Sequence, residues 1–155
     1  MPERSPMSEL TTTIGTLLQQ KPAHVWSIAP DASVYQAIEM MADKQVGALL
    51  VMDKRVLKGI ISERDYARKV ILQGHSSRDT TVADIMTSPV IFISREHTVG
   101  DCMRIVTKNR IRHLPVLREG EVTGMISIGD LVNWVITEQE KTIRHLEAYI
   151  CGTTT

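Results

Sequence analysis

Two short stretches carry the residue types and the spacing that could do chemistry. They are Gly59-Ile60-Ile61-Ser62-Glu63-Arg64-Asp65 and Gly124-Met125-Ile126-Ser127-Ile128-Gly129-Asp130, 65 residues apart. Each is an apolar run that stops at a serine, with an aspartate three residues later. The pattern reads as a strand passing straight into a helix, with the serine hydroxyl at the N-cap and the N3 acid reaching back to it. Such a corner also presents backbone N–H groups and the positive end of a helix dipole to an anion. The repetition therefore predicts two phosphate-friendly corners; the plainer reading is a pair of helix caps. Arg64 falls in the first helical turn, where a cation opposes the dipole, a placement that makes sense beside an anion. The copies differ. Ile128-Gly129 stand where the first copy has Glu63-Arg64, and Arg112-His113 stand where the first has Gly47-Ala48.

The elements that position these corners repeat with the same offset. Val25-Trp26-Ser27-Ile28 predicts a strand, matched by Val90 to Ile93. Ser33 with Gln36 has capping-box spacing, matched by Thr98 with Asp101. Val34, Ala37, Ile38 and Met41 give an apolar helical face, matched by Val99, Cys102, Met103 and Val106. Gly47 to Met52 predicts a buried strand and Leu57 to Ile61 its returning partner, matched by Ile111 to Leu117 and Val122 to Ile126. Asp53-Lys54-Arg55 and Gly120 make the turns. The helix opened by Ser62 runs through Tyr66, Val70 and Leu72 to Gly74. The one opened by Ser127 runs through Leu131, Trp134 and Val135 toward Tyr149 and stops at Gly152. Each unit is thus β-α-β-β-α. A unit this small buries too little apolar surface alone, so two should close one shared core. The expected boundaries are a leader and short helix over 1–20, a first repeat over 21–75, a linker over 76–86, a second repeat over 87–138, and a helical extension and tail over 139–155. Met1 to Thr12 reads as a loose leader, and Val82 to Met86 as a helical turn leading into the second repeat.

Composition bounds the function. The chain has 155 residues, 43% hydrophobic and 23% charged, which is globular. Eighteen basic and 18 acidic residues give a formal net charge of +0, which argues against a broad nucleic-acid or anionic-membrane footprint. Cys102 and Cys151 make no disulfide framework. No run approaches a membrane span, and Met1 to Ser8 lacks the apolar core of a signal peptide, so the expected compartment is the cytoplasm. His24, His75, His97 and His145 have no ligand spacing, so no metal site is expected. No nucleophile elbow, P-loop or dinucleotide fingerprint is present, so the expected class is a non-enzyme.

The element order and the doubled Gly-h-h-Ser-x-x-Asp signature resemble the CBS domain, two of which in tandem form a Bateman module. Asp84-Ile85-Met86-Thr87 and Arg112-His113-Leu114-Pro115-Val116 add to the resemblance, which covers about Ala23 to Val135. It implies an α/β (α+β) fold of tandem β-α-β-β-α repeats related by a pseudo-twofold axis. It also implies two clefts that take adenosine-containing ligands: AMP, ADP or ATP, with NAD(H) a further choice. No cofactor is required. The role implied is regulatory signal transduction, with a homodimer and an effector protein as partners. In such a cleft a carboxylate, Asp65 or Asp130, would take the ribose hydroxyls. Ser62 and Ser127 at the helix starts, with Arg64, Arg112 and His113, would take phosphate. Val25, Trp26, Val46 and Ala48 would frame one adenine slot and Val90, Ile91, Ile111 and His113 the other, with Gly47, Leu114, Ile61 and Ile126 as further nucleotide-binding positions beside them. The resemblance pairs Ser127 and Asp130 with Val25, Trp26 and Val46, and Ser62, Arg64 and Asp65 with Val90, Ile91 and Ile111.

The alternative reading is a ligand-independent dimerisation module with Trp26, Ile38, Met41, Val106 and the stripe Ile136, Ile143, Leu146 and Ile150 as its interface. A nucleotide-converting transferase or hydrolase is the less favoured rival, because no catalytic set is present.

Overall fold

The structure is a computed structural model that describes residues 8–21 and 24–150. In chain order these form a 3-10 turn (Ser8–Thr11), α1 (Ile14–Gln19), β1 (Ser27–Ile28), α2 (Val34–Lys44), β2 (Ala48–Asp53), β3 (Val56–Ser62), α3 (Glu63–Tyr66), a π turn (Ala67–Ile71), α4 (Val82–Ile85), α5 (Val99–Asn109), β4 (His113–Arg118), β5 (Glu121–Ser127) and α6 (Ile128–Ile150). Helices and strands are mixed, as an α+β fold requires.

Two compact units result. One, built on the first repeat, comprises Ala23–Phe92 and Leu117–Met125; the other, built on the second, comprises Met1–Pro22, Ile93–Val116 and Ile126–Thr155. In the first-repeat unit β1 runs parallel to β2, pairing Ile28 with Val51, and β2 runs antiparallel to β3. Every residue from Ala48 to Val51 is buried, because α2 covers one face and the other is also filled. Ile28, Val34, Ala37, Met41, Leu49, Val51, Ile61, Val70, Val82 and Ile85 make the core. α2 starts from a complete Ser33/Gln36 capping box and ends at Gln45 in the left-handed region.

The second-repeat unit keeps the 65-residue offset in space. Ile93 bridges Val116 in parallel, as Ile28 pairs with Val51. α5 starts from a Thr98/Asp101 capping box and ends at a left-handed Arg110, again as α2 does. Its core joins Val99, Cys102, Val106, Leu114, Val116, Ile126 and Leu131 to Ile14 and Leu17 of α1.

Several expectations need correction. Val25 and Trp26 precede β1, although the Trp26 carbonyl accepts from the Leu50 amide at 3.1 Å. Val90 to Phe92 form no strand, because only Ile93 finds a ladder partner. The strand expected from Ile111 begins at His113. The helix after Ser62 makes a single α turn and widens into the π turn, which sends Val70 into the core and leaves Ile71 and Leu72 outside. The loose leader is instead structured from Ser8. The Ile14 amide donates to the His97 carbonyl at 2.8 Å, Gly15 to Arg95 at 2.9 Å, and Val99 to the Thr12 carbonyl at 2.8 Å. The turn expected to lead into the second repeat, α4, packs Val82 and Ile85 into the core of the first. Met41 and Val106, expected at a dimer interface, are only 2% and 4% exposed within their own units. Gly152 lies outside the described residues.

Candidate functional site

Both signature corners form as capping boxes. At the first, Ser62 Oγ accepts from the Asp65 amide at 3.2 Å, and Asp65 Oδ2 accepts from the Ser62 amide at 3.0 Å and its hydroxyl at 3.1 Å. At the second, Ser127 Oγ accepts from the Asp130 amide at 3.1 Å, and Asp130 Oδ2 accepts from the Ser127 amide at 2.8 Å. The first helical amide is taken as well: Glu63 donates to the Gly47 carbonyl at 3.1 Å and Ile128 to the Arg112 carbonyl at 2.9 Å. Two of the amides that the sequence left open to an anion, N1 and N3, are therefore engaged at each corner.

The two carboxylates then diverge. Asp65 Oδ1 receives the Lys69 ammonium at 3.1 Å and the Thr87 hydroxyl at 3.3 Å, and its side chain is 13% exposed. Lys69 also donates to the Ile85 carbonyl at 2.9 Å, so it ties α3 and the π turn to the end of α4. Thr87 reaches Asp65 because Ile60 and Thr87 exchange backbone hydrogen bonds at 3.1 and 2.8 Å. Gly59 makes room for that approach: a Cβ there would meet Met86 Sδ at 2.6 Å and the Thr87 carbonyl at 3.0 Å.

Asp130 instead receives Lys21, whose Nζ lies 2.5 Å from Oδ2. The pair is partly exposed, with side chains at 30% and 26%. Asp130 Oδ1 has no hydrogen-bond partner among the described residues. Burial pushes the Asp130 carboxyl up, but the hydrogen bonds from Lys21 and Ser127 outweigh it and hold the group below the usual carboxylate range. His113, at the start of β4, is pushed down by burial first and then by Lys21; Asp130 pulls the other way, and Arg112 adds the smallest downward push. The second-repeat unit thus gathers Lys21, Arg112, His113, Ser127 and Asp130.

The other expected residues sort by burial. Ala48, Ile61, Leu114 and Ile126 are at most 1% exposed, so what they offer a ligand is backbone. Val46 and Ile111 are half-buried against their own cores. Val90 is half-buried and Ile91 exposed, in the same unit as Ser62, Arg64 and Asp65; Ile111 belongs to the other. The Trp26 ring is engaged within its unit. His24 stacks on it with centroids 5.6 Å apart, and Lys44 Nζ sits 4.5 Å from the ring centroid. Sequence reasoning missed Lys21, Lys69 and Thr87. The i, i+4 spacing of Asp65 and Lys69 was a usable signal. Lys21, 109 residues from Asp130, gave none.

A family model described as the CBS domain matches residues 21–71 and 82–137. The chain belongs to the CBS-domain family. The CBS domain-containing protein CBSX3, mitochondrial, of Arabidopsis thaliana is 41% identical over 152 residues, covering 92% of this chain and 73% of the relative. A solved structure of a protein with CBS domains from Burkholderia ambifaria MC40-6 is 46% identical with a TM-score of 0.81, covering 83% of this chain and 96% of that one. The CBS domain pair of protein MJ0100, solved in complex with 5′-methylthioadenosine and S-adenosyl-L-methionine, shares the fold at 21% identity and a TM-score of 0.73, covering 83% and 98%. No helix among the described residues is long and apolar enough to cross a membrane.

Proposed function

We propose that this CBS-domain protein is a regulatory module that binds an adenine nucleotide, AMP, ADP, ATP or NAD(H), and passes the binding on to an effector protein as a change of conformation or assembly. The observation that carries the reading is Asp130. It is a half-buried carboxylate kept ionised, with one oxygen unused and two cationic side chains, Lys21 and Arg112, in its unit. An unused carboxylate oxygen accepts from a ribose hydroxyl, and an ammonium donates to a phosphate oxygen. The adenosine-type ligands of the MJ0100 domain pair agree with this chemistry. Binding would act by population shift, and needs different affinities for two states of the protein.

The test is isothermal titration of the purified chain with AMP, ATP and NADH, beside native mass spectrometry of protein taken straight from cells. At least one should bind, and raise the melting temperature by an amount that grows with its concentration. Heat and mass that match the bare chain with all three would sink the reading.

A specific observation supports the homodimer. Ile136, Ile143, Leu146 and Ile150 on α6 are 48–79% exposed, and Ile136, Ile143 and Ile150 fall seven residues apart. That rhythm is what a helix of the same pattern, from a second copy, would cover. Ile143→Glu with Leu146→Glu should halve the mass read by light scattering; an unchanged mass would exclude α6 as the seam.

A further inference from the structure

The two signature corners open helices of different length and different surface. The first makes one α turn and a π turn and ends at Ile71. The second, α6, runs unbroken for 23 residues. It has two apolar faces. Leu131, Trp134 and Val135 pack on their own core. A second row, Ile128, Val132, Ile136, Ile143, Leu146 and Ile150, is 43–79% exposed. The row starts at the corner itself, because Ile128 stands where the first corner has Glu63.

We infer that α6 of a second copy covers this row, parallel and in register from the signature corner to Ile150, with Gln139 of each copy paired to its counterpart. The inference deepens the homodimer of the proposed function and rests on it. In heptad lettering Gly129, Ile136, Ile143 and Ile150 fall at a, and Val132, Gln139 and Leu146 at d. Isoleucine at a with leucine at d favours two parallel strands. Two further features set the direction. Gln139 interrupts the row at its middle. Beside its counterpart the amide both donates and accepts; against an isoleucine it is buried without a partner. A parallel copy supplies the counterpart, and an antiparallel one the isoleucine. Glu140 and Glu147 flank the row at e, and Val135, Thr142 and Tyr149 flank it at g. Parallel pairing sets e against g, so each glutamate meets a neutral side chain. Antiparallel pairing sets e against e and brings glutamates together. Gly129 fits the same scheme. Among the described residues, a Cβ there would meet only Ser127 Oγ within 4 Å, at 3.6 Å, so the chain's own packing does not require glycine. Glycine inside a helix costs stability. Between in-register copies it lets the two helix starts approach closely. Leu131, Trp134 and Val135 already hold the helix in place, which lowers the ordering cost of pairing.

The experiment places single cysteines in the full chain carrying Cys151→Ser, applies a mild oxidant and reads covalent dimers on a non-reducing gel. Cys102 is buried and does not compete. Val132→Cys and Gln139→Cys should each join to its counterpart, and Arg144→Cys, on the polar side of α6, should not. A mixture of Val132→Cys and Ile150→Cys, with one chain tagged so that the products differ in mass, should give no mixed dimer. Gln139→Leu should tighten the pair by about tenfold, because a polar residue in the seam fixes register at a cost in stability; a looser pair would overturn the Gln139 layer. A chain that is dimeric by light scattering but joins Val132→Cys to Ile150→Cys, or leaves Val132→Cys unjoined, overturns the inference and leaves the homodimer standing. A monomeric chain overturns both, while the nucleotide reading is decided separately by titration.

Discussion

His113 sits where burial and the Lys21 ammonium both work against its protonated form. Its folded pKa therefore lies below the value of about 6.5 that it has in the unfolded chain. Between those two values the unfolded state binds the extra proton, so stability rises with pH there. The contribution is complete above about pH 6.5 and is lost as pH falls through the lowered folded value. The melting temperature should drop as buffer is taken from pH 7 toward 5.5, and His113→Asn should flatten that slope; an equal slope in the variant would show that the imidazole titrates freely. Asp130 adds a second, more acidic window, because its carboxyl is also lowered: its share is full above about pH 4 and is lost below. Cys102 takes part in neither. Burial, helped by Asp101, pushes its thiol up to about 12, so at neutral pH it is an apolar core residue without thiolate reactivity.

At the scale of elements, the capping boxes were legible because their chemistry is local: a Ser or Thr and its partner three residues on decide it between themselves. Ser33/Gln36, Ser62/Asp65, Thr98/Asp101 and Ser127/Asp130 all form hydrogen bonds that the spacing predicts. The second strand–helix corner was legible for the same reason. Strands that depend on a distant partner were less so. Val90 to Phe92 have the apolar residues of a strand, yet only Ile93 meets Val116. The π turn was hidden because helical periodicity does not distinguish it from one more α turn. The glycine of the signature has a reason that periodicity also hides, namely the approach of Met86 and Thr87 to β3. Gly59→Ala should cost about 1–3 kcal/mol, the range for forcing extra volume into packed surroundings. A melting temperature equal to that of the natural chain would mean that Met86 moves aside freely.

At the scale of the whole molecule, the repeats in the sequence and the units in space do not coincide. The amide of Val34 donates to the Thr80 carbonyl, and the amide of Val99 donates to the Thr12 carbonyl, both at 2.8 Å. Thr80-Thr81-Val82 thus does for the first repeat what Thr12-Thr13-Ile14 does for the second, and each repeat is completed by a short helix that precedes the other's signature region or the whole pair. The sequence carried this only as a resemblance between two threonine pairs. Ile14→Ala should therefore destabilise by about 2–5 kcal/mol, as for a fully buried large aliphatic. Calorimetry checks it; a loss under about 0.5 kcal/mol, typical of surface sites, would mean that α1 is dispensable.

That arrangement has a temporal side. A ribosome releases Ile14 and Leu17 roughly 80 residues before Ile93, the first residue of the strand pairing that helps to bury them. At about 5–20 residues per second, these two aliphatic side chains stay without their cover for several seconds of synthesis, while the other half of the protein has all but its hairpin tip in hand. Ile14 and Leu17 are thus made well ahead of the residues that bury them, and over that interval they are open to a chaperone.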